Sequence, residues 1–347
     1  MTDKRPILIV GLPRSGTTWV GEVLASAHGA RYVFEPDNEG LSPIAWLSKR
    51  GMHRFPYLAA TDLATDYHRL WNTIIAGNGG AWYANVALGL YIRRLLGCKS
   101  GLESYMGEKC GLRYVDRKMH WVGQTARKTP YDVEHHPFIA LLARHLLISE
   151  RRGQPDRHII VKSVHAPLSI EWITANFPVR ALIVLRNPYS LYASYRRMRL
   201  PDGYRNLLFQ SNLQRDWHLF GPEPSRLIMQ TQEDLVASQI MCMYKIMECQ
   251  FARHPDWILV SHDRFCVTPH QGYSRIFEEL DLAWSKTTDR KIATLNKPGK
   301  DFDPRRVAKE QPNKWKSELS EADQTTIRHW IDIFGLNDFF REYVTLD

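Results

Sequence analysis

Residues 11–19, Gly-Leu-Pro-Arg-Ser-Gly-Thr-Thr-Trp, place one guanidinium (Arg14) and three hydroxyls (Ser15, Thr17, Thr18) between and beside two glycines. The four residues before them, Ile7 to Val10, are continuously apolar, which predicts a strand buried on both faces of a parallel sheet. From Thr17 onward, Val20, Val23 and Leu24 recur at helical spacing. Strand, glycine loop and helix N-terminus together form a cradle for a phosphate or sulfate, because backbone N–H groups and the positive end of the helix dipole point at the anion. The two glycines alone would suit an ordinary strand-to-helix turn; the cation and hydroxyls make the anion site the better reading. A nucleoside-triphosphatase loop needs Gly-Lys-Ser/Thr, whereas Gly16 is followed by Thr17-Thr18 and the cation sits inside the loop at Arg14. That arrangement suits an anion that need not arrive with magnesium.

Other chemistry-bearing residues fall at the ends of predicted strands. Glu35 closes the short strand Arg31–Phe34, and Pro36 fixes the chain's exit. The carboxyl end of a strand is where open α/β sheets bind ligands. Lys162 ends an apolar run from His158, with Ser163 and His165 just beyond. Arg186 ends the buried run 180–185, and Ser194 follows two turns along a helix starting near Pro188, so guanidinium and hydroxyl can share one phosphate. The segment 286–316 holds nine Lys or Arg residues before Lys316 and reads as a charged loop.

In combination these residues resemble the PAPS-dependent sulfotransferases (PAPS is 3′-phosphoadenylyl sulfate). Pro13-Arg14-Ser15-Gly16-Thr17-Thr18-Trp19 resembles their 5′-phosphosulfate loop, and Arg186 with Ser194 resembles their 3′-phosphate pair. Phe34-Glu35-Pro36 is similar to the setting of the catalytic glutamate in Golgi carbohydrate sulfotransferases. Lys162-Ser163-Val164-His165 resembles the Lys-Thr-His of cytosolic sulfotransferases, whose histidine is the base, with the histidine one place later here. Trp315-Lys316-Ser317-Glu318-Leu319-Ser320 resembles the turn that follows their basic 3′-phosphate loop. The likeness therefore implies Arg305, Arg306 and Lys314 as further phosphate contacts. It spans roughly residues 5–36, 158–200 and 255–340. It implies in-line transfer of a sulfuryl group from PAPS to a carbohydrate or small-molecule hydroxyl, without a metal. Glu35 or His165 would be the base, with Arg14 and Lys162 meeting the developing charge. The alternatives are a P-loop small-molecule kinase and a non-catalytic anion- or glycan-binding protein.

The elements that must position these residues read as one α/β domain over 1–347. The expected architecture is a P-loop three-layer α/β/α fold with a central parallel sheet, and residues 37–157 as a helical, acceptor-binding insertion. Helical periodicity is visible in 81–97 and 137–150, then at 167–176, 233–252 and 271–282, with a further strand at 257–261. Residues 199–232, polar and punctuated by Gly and Pro, read as an acceptor loop. Ser320 and Asp323 make a near capping box for a helix ending near Gly335. Composition bounds the rest. The chain has 347 residues, 44% hydrophobic, and a net charge of +9. The basic residues are scattered rather than interleaved with aromatics, which argues against nucleic acid as a partner. Five cysteines without a Cys-x-x-Cys pair predict reduced packing residues. The adjacent His135-His136 pair suits a solvated loop better than a metal site. A short polar N-terminus and the lack of an 18-residue apolar run predict a cytoplasmic chain with no integral membrane segment. Oligomeric state is not legible.

Overall fold

The computed structural model describes residues 3–39, 42–76, 158–198, 207–223, 226–299 and 304–344. The expected helices at 81–97 and 137–150, and most of the insertion, lie outside the described residues. In chain order the elements are β1 (Ile7–Val10), α1 (Thr17–Leu24), β2 (Ala30–Phe34), α2 (Pro43–Ser48), α3 (Thr65–Ile75), β3 (His158–Ser163), α4 (Ile170–Asn176), β4 (Arg180–Leu185), α5 (Pro188–Met198), α6 (Ser211–Arg215), α7 (Gln232–Ala252), β5 (Ile258–Ser261), α8 (His262–Val267), α9 (Pro269–Glu279), α10 (Lys286–Leu295), α11 (Trp315–Glu318), α12 (Glu321–Phe334) and α13 (Asn337–Tyr343).

The five strands form one parallel sheet in the order β2-β3-β1-β4-β5. Its apolar residues divide by the two-residue period of the pleat. Leu8, Val10, Val161, Ile183 and Leu185 face a core built with α3, α4, α5, α7 and α12. Ile7, Ile9, Ile160, Leu182 and Val184 face a second core built with α1, α8, α9 and α10. Both faces are covered, which is why the strands read as unbroken apolar runs. The architecture is a three-layer α/β/α sandwich.

The connections out of β1 and β3, neighbours in the sheet, leave to opposite faces: α1 packs on the second core and α4 on the first. The crevice at such a switch point is where ligands bind in open α/β sheets. The strand order then arranges the candidate residues along one edge: Glu35 after β2, Lys162 and Ser163 in β3, the 11–16 loop after β1, Arg186 after β4, and His262 after β5.

One expectation is corrected here. The basic segment 286–316 is not a continuous loop: residues 286–295 form α10, capped where Ser285 Oγ accepts from Thr287 N. Its basic residues stand on the polar face of a helix whose Thr288, Ile292 and Leu295 are buried. At α12 the expected box is present in full. Ser320 Oγ accepts from Asp323 N, the Asp323 carboxylate accepts from Ser320 N, and Gly335 ends the helix in the left-handed conformation at φ 63°.

Candidate active site

The loop after β1 turns on Gly16, at φ 95°, which also caps the N-terminus of α1. A Cβ there would stand 2.1 Å from Cδ2 of the buried His262, so glycine is required by conformation and by space. Gly11 is equally tight: a Cβ would lie 2.5 Å from Ser15 Oγ and 2.6 Å from the Val184 carbonyl. No side chain caps α1, so its first-turn N–H groups face the loop without a protein acceptor from a capping side chain.

Arg14 and Glu35 are two of the three non-glycine residues with positive φ among those described, at 72° and 47°. Backbone held in this sparsely populated region costs about 1–3 kcal/mol and persists only where surrounding contacts over-determine it. For Arg14 those contacts are visible. Its Nε lies 3.3 Å from Ser194 Oγ, and its carbonyl accepts from Arg186 Nη1 at 2.8 Å. Arg186 is fixed in turn by Tyr244, whose hydroxyl donates to its carbonyl at 2.7 Å. The next residue, Asn187, is the N-cap of α5: its Oδ1 accepts from Tyr189 N and Ser190 N, while Pro188 starts the helix. Asp263 accepts from Asn187 N at 2.7 Å. Burial raises the Asp263 carboxyl above the usual range against the opposing pull of Arg186.

The electrostatics of this end are unbalanced toward positive charge. Burial first, and then repulsion from Arg306, Arg186 and Arg197, pushes the Arg14 guanidinium down to about 9. Ser15 Oγ and Arg186 Nε are buried with no hydrogen-bond partner among the described residues. Converging guanidiniums, unused donors and an open helix N-terminus fit a multiply charged phosphate or sulfate ester.

At the other end, Glu35 N donates to the Lys162 carbonyl at 2.7 Å, and the left-handed turn then swings the Glu35 side chain back over β3. Lys162 Nζ donates to Glu35 Oε1, and Val164 N donates to Oε2 at 3.0 Å. Both side chains are almost fully buried, and Lys162 also lies 4.7 Å above the Phe34 ring. Burial holds the Lys162 ammonium below its ordinary range; Glu35 and Asp37 oppose that and Arg14 adds to it.

Beside this pair lies a buried polar network that the sequence did not announce. The Asp37 carboxylate accepts from Ser163 Oγ at 2.5 Å and from Tyr67 Oη at 2.9 Å, while Ser163 Oγ accepts from the backbone N–H groups of His165 and Ala166. Asp37 thus ties the loop after β2 to the loop after β3. Lys49, with no exposed surface, donates to Glu39 Oε2 (2.8 Å) and to the carbonyls of Asp37 (3.2 Å) and Arg54 (2.6 Å). His165 Nδ1 is 3.0 Å from the same Glu39 oxygen. Burial disfavours the charge on Glu39, but Lys49, His165 and Arg54 outweigh it and hold the carboxyl well below its ordinary range. Burial pushes His165 down to about 4, with Glu39 resisting. Asp37, Asn38 and Glu39 fall at the start of the segment 37–157 expected as a helical insertion, and nothing in their types or spacing marks them for burial.

The structure therefore gathers Arg14, Ser15, Gly16, Thr17, Arg186 and Ser194 around one loop, and Glu35 with Lys162 a strand or two away. Pro13 and Thr18 flank the loop half-buried. Trp19 turns away: it is buried in the second core, edge-on to His262 and Tyr273. Arg306 is near enough to act on Arg14, whereas Arg305 is exposed and Lys314 pairs with Glu318 at 3.5 Å. Among the described residues, no group of three or more His, Cys, Asp or Glu side chains is placed to hold a metal ion. No helix among them is long and apolar enough to cross a membrane.

Comparison with known proteins decides the family. The sequence model of the sulfotransferase family matches residues 6–286. The chain belongs to the sulfotransferase family. Membership makes it a transferase by class. No curated protein matches this sulfotransferase-family chain. Solved structures that it is similar to include the sulfotransferase domain of a Synechococcus PCC 7002 olefin synthase, at 14% identity over 96% of this chain and 95% of that one, with a TM-score of 0.42. A sulfotransferase of Mycobacterium tuberculosis H37Rv aligns at 12% identity over 95% of this chain and 76% of that one, with a TM-score of 0.41.

Proposed function

We propose that this protein transfers a sulfuryl group from PAPS to an alcohol hydroxyl of a carbohydrate or small molecule, with Glu35 as general base. The observation that carries the reading is the division of labour along one sheet edge: surplus guanidinium charge at the 11–16 loop, and a buried carboxylate–ammonium pair on the neighbouring strand ends. Bound PAPS would supply the sulfuryl group and its leaving oxygen. The loop N–H groups and Arg14 are suited to its 5′ end, and Arg186, Ser194 and Arg306 to its 3′-phosphate. Glu35 accepts the hydroxyl proton. Once neutralised, Glu35 no longer pairs with Lys162, and the ammonium is left to stabilise negative charge developing beside it. His165 is the weaker candidate because its Nδ1 is committed to Glu39 and burial makes its ring a poor proton acceptor.

The test is Glu35→Gln, with His165→Gln in parallel, read by transfer from PAPS to a panel of alcohols and phenols and by 3′,5′-ADP binding. The expected result is a loss of turnover of about 10²–10⁴ for Glu35→Gln with nucleotide affinity retained. An equal loss of both, or a larger turnover loss in His165→Gln, would overturn the assignment.

A further inference from the structure

Ser194 reaches Arg14 from helix α5, and Arg197 stands three residues further on, hence one turn along the same side of the helix. In the structure Arg197 faces a carboxylate. Its Nη1 donates to both oxygens of Glu318, at 2.6 and 2.7 Å, and Lys314 Nζ lies 3.5 Å from the same side chain. Glu318 belongs to the short helix α11, which is fastened along α5 by the stacked rings of Tyr189 and Trp315 (4.6 Å) and by Ser190 Oγ against the Pro312 carbonyl (3.5 Å). The preceding residue, Arg196, does something different: it pairs with Asp323, whose carboxylate already caps α12. Among the described residues Arg197 meets no helix-capping carboxylate, only Glu318. Its pair with Glu318 is open to water, with 47% and 27% of the two side chains exposed.

We propose that Arg197 is a further anion-binding residue of the nucleotide site and that Glu318 is its built-in competitor, holding in the free protein the guanidinium that a ligand phosphate takes over. The inference rests on the PAPS reading above and adds to it a residue and a regulating contact. An exposed carboxylate–guanidinium pair contributes little net stability, so it yields readily to a doubly charged phosphate that can take the same fork of donors. Glu318 thereby lowers affinity without blocking the site, and after the exchange it keeps Lys314 as its partner. The carboxylate also keeps the cluster of Arg14, Arg186, Arg197 and Arg306 from standing wholly uncompensated when no nucleotide is bound.

The experiment is calorimetric titration of 3′,5′-ADP in EDTA into wild type, Glu318→Gln, Arg197→Gln and the double variant, with melting temperatures of the free proteins as the check on folding. Glu318→Gln is expected to tighten binding about 3–10-fold, and Arg197→Gln to weaken it about 5–20-fold, as fits loss of a charge-assisted hydrogen bond. In the Arg197→Gln background the gain from Glu318→Gln should vanish. Measurable wild-type binding with a Glu318→Gln affinity within about twofold would overturn this proposal and leave the PAPS reading standing. The same tightening with and without Arg197 would overturn the role of Arg197. No binding by wild type or Glu318→Gln would overturn both readings.

Discussion

Acid should destabilise this fold through His165, by an amount the structure sets. The imidazole lies at 1% exposure between Glu39, Lys49 and the Phe55 ring, with burial pushing it down to about 4. An unfolded histidine titrates near 6.5. Below that pH the unfolded chain takes up a proton that the folded chain refuses, so stability falls as pH drops from about 6.5 towards 4 and then levels off. The gap of about 2.5 pKa units corresponds to about 3 kcal/mol in full, and about 2 kcal/mol of it is lost by pH 5. Between pH 7.5 and 5 Glu39 contributes little: its carboxyl is held well below its ordinary range, so its stabilisation begins to fall only below about pH 5, where the unfolded carboxyl takes up protons, and goes on falling in stronger acid. The assay is urea unfolding of wild type and His165→Gln at pH 7.5 and pH 5.0, with linear extrapolation. Glutamine retains an N–H for Glu39 but cannot take up a proton. The variant is expected to start less stable, and to lose about 2 kcal/mol less than wild type between the two pH values. Equal losses in the two proteins, within about 0.5 kcal/mol, would refute the reasoning, since the histidines at 158 and 262 are common to both.

Gly16→Ala should destabilise the fold by more than the 1–2 kcal/mol or so of left-handed strain alone, because the new methyl would collide with the His262 ring; a melting temperature unchanged from wild type would contradict the loop geometry. Asp37→Ala would leave the Ser163 and Tyr67 hydroxyls buried without their acceptor, at about 1–3 kcal/mol each, whereas Tyr67→Phe removes one bond and should cost about 1 kcal/mol. Urea midpoints check both, and an Asp37→Ala protein as stable as Tyr67→Phe would show that Asp37 does not join the two loops.

The parts of this fold legible in sequence are those set by short-range pattern. The runs expected at 7–10, 158–162 and 180–185 became strands with nearly those bounds, the second extended by Ser163, because the middle of a strand covered on both faces is continuously apolar. Gly16 and Ser320 marked the starts of α1 and α12 through chemistry confined to a single turn. The direct contact of Arg14 with Ser194 came only from the structure, but Arg186 and Ser194 could be paired before any coordinates, and Arg14 placed at the same sheet edge, because parallel strands end together. The network of Asp37, Glu39, Lys49 and Tyr67 could not. Its members come from a turn and two helices, and burial of charge is decided by which element packs above it, which no periodicity encodes. The basic 286–295 segment misled for the related reason that a charged surface helix and a charged loop share a composition. There the buried Thr288, Ile292 and Leu295 stand at helical spacing.

The central claim is that the loop and the arginine cluster bind the PAPS nucleotide without a metal. The most direct measurement is a thermal-shift titration with 3′,5′-ADP and with ATP, each in Mg²⁺ and in EDTA. A ligand at about 100 times its dissociation constant adds about 2.7 kcal/mol of stability, which raises the melting temperature by about 4 °C in a chain of this size. A rise with 3′,5′-ADP that survives EDTA is the predicted result. A rise with Mg-ATP alone would contradict the account and make the chain a kinase-like phosphate binder.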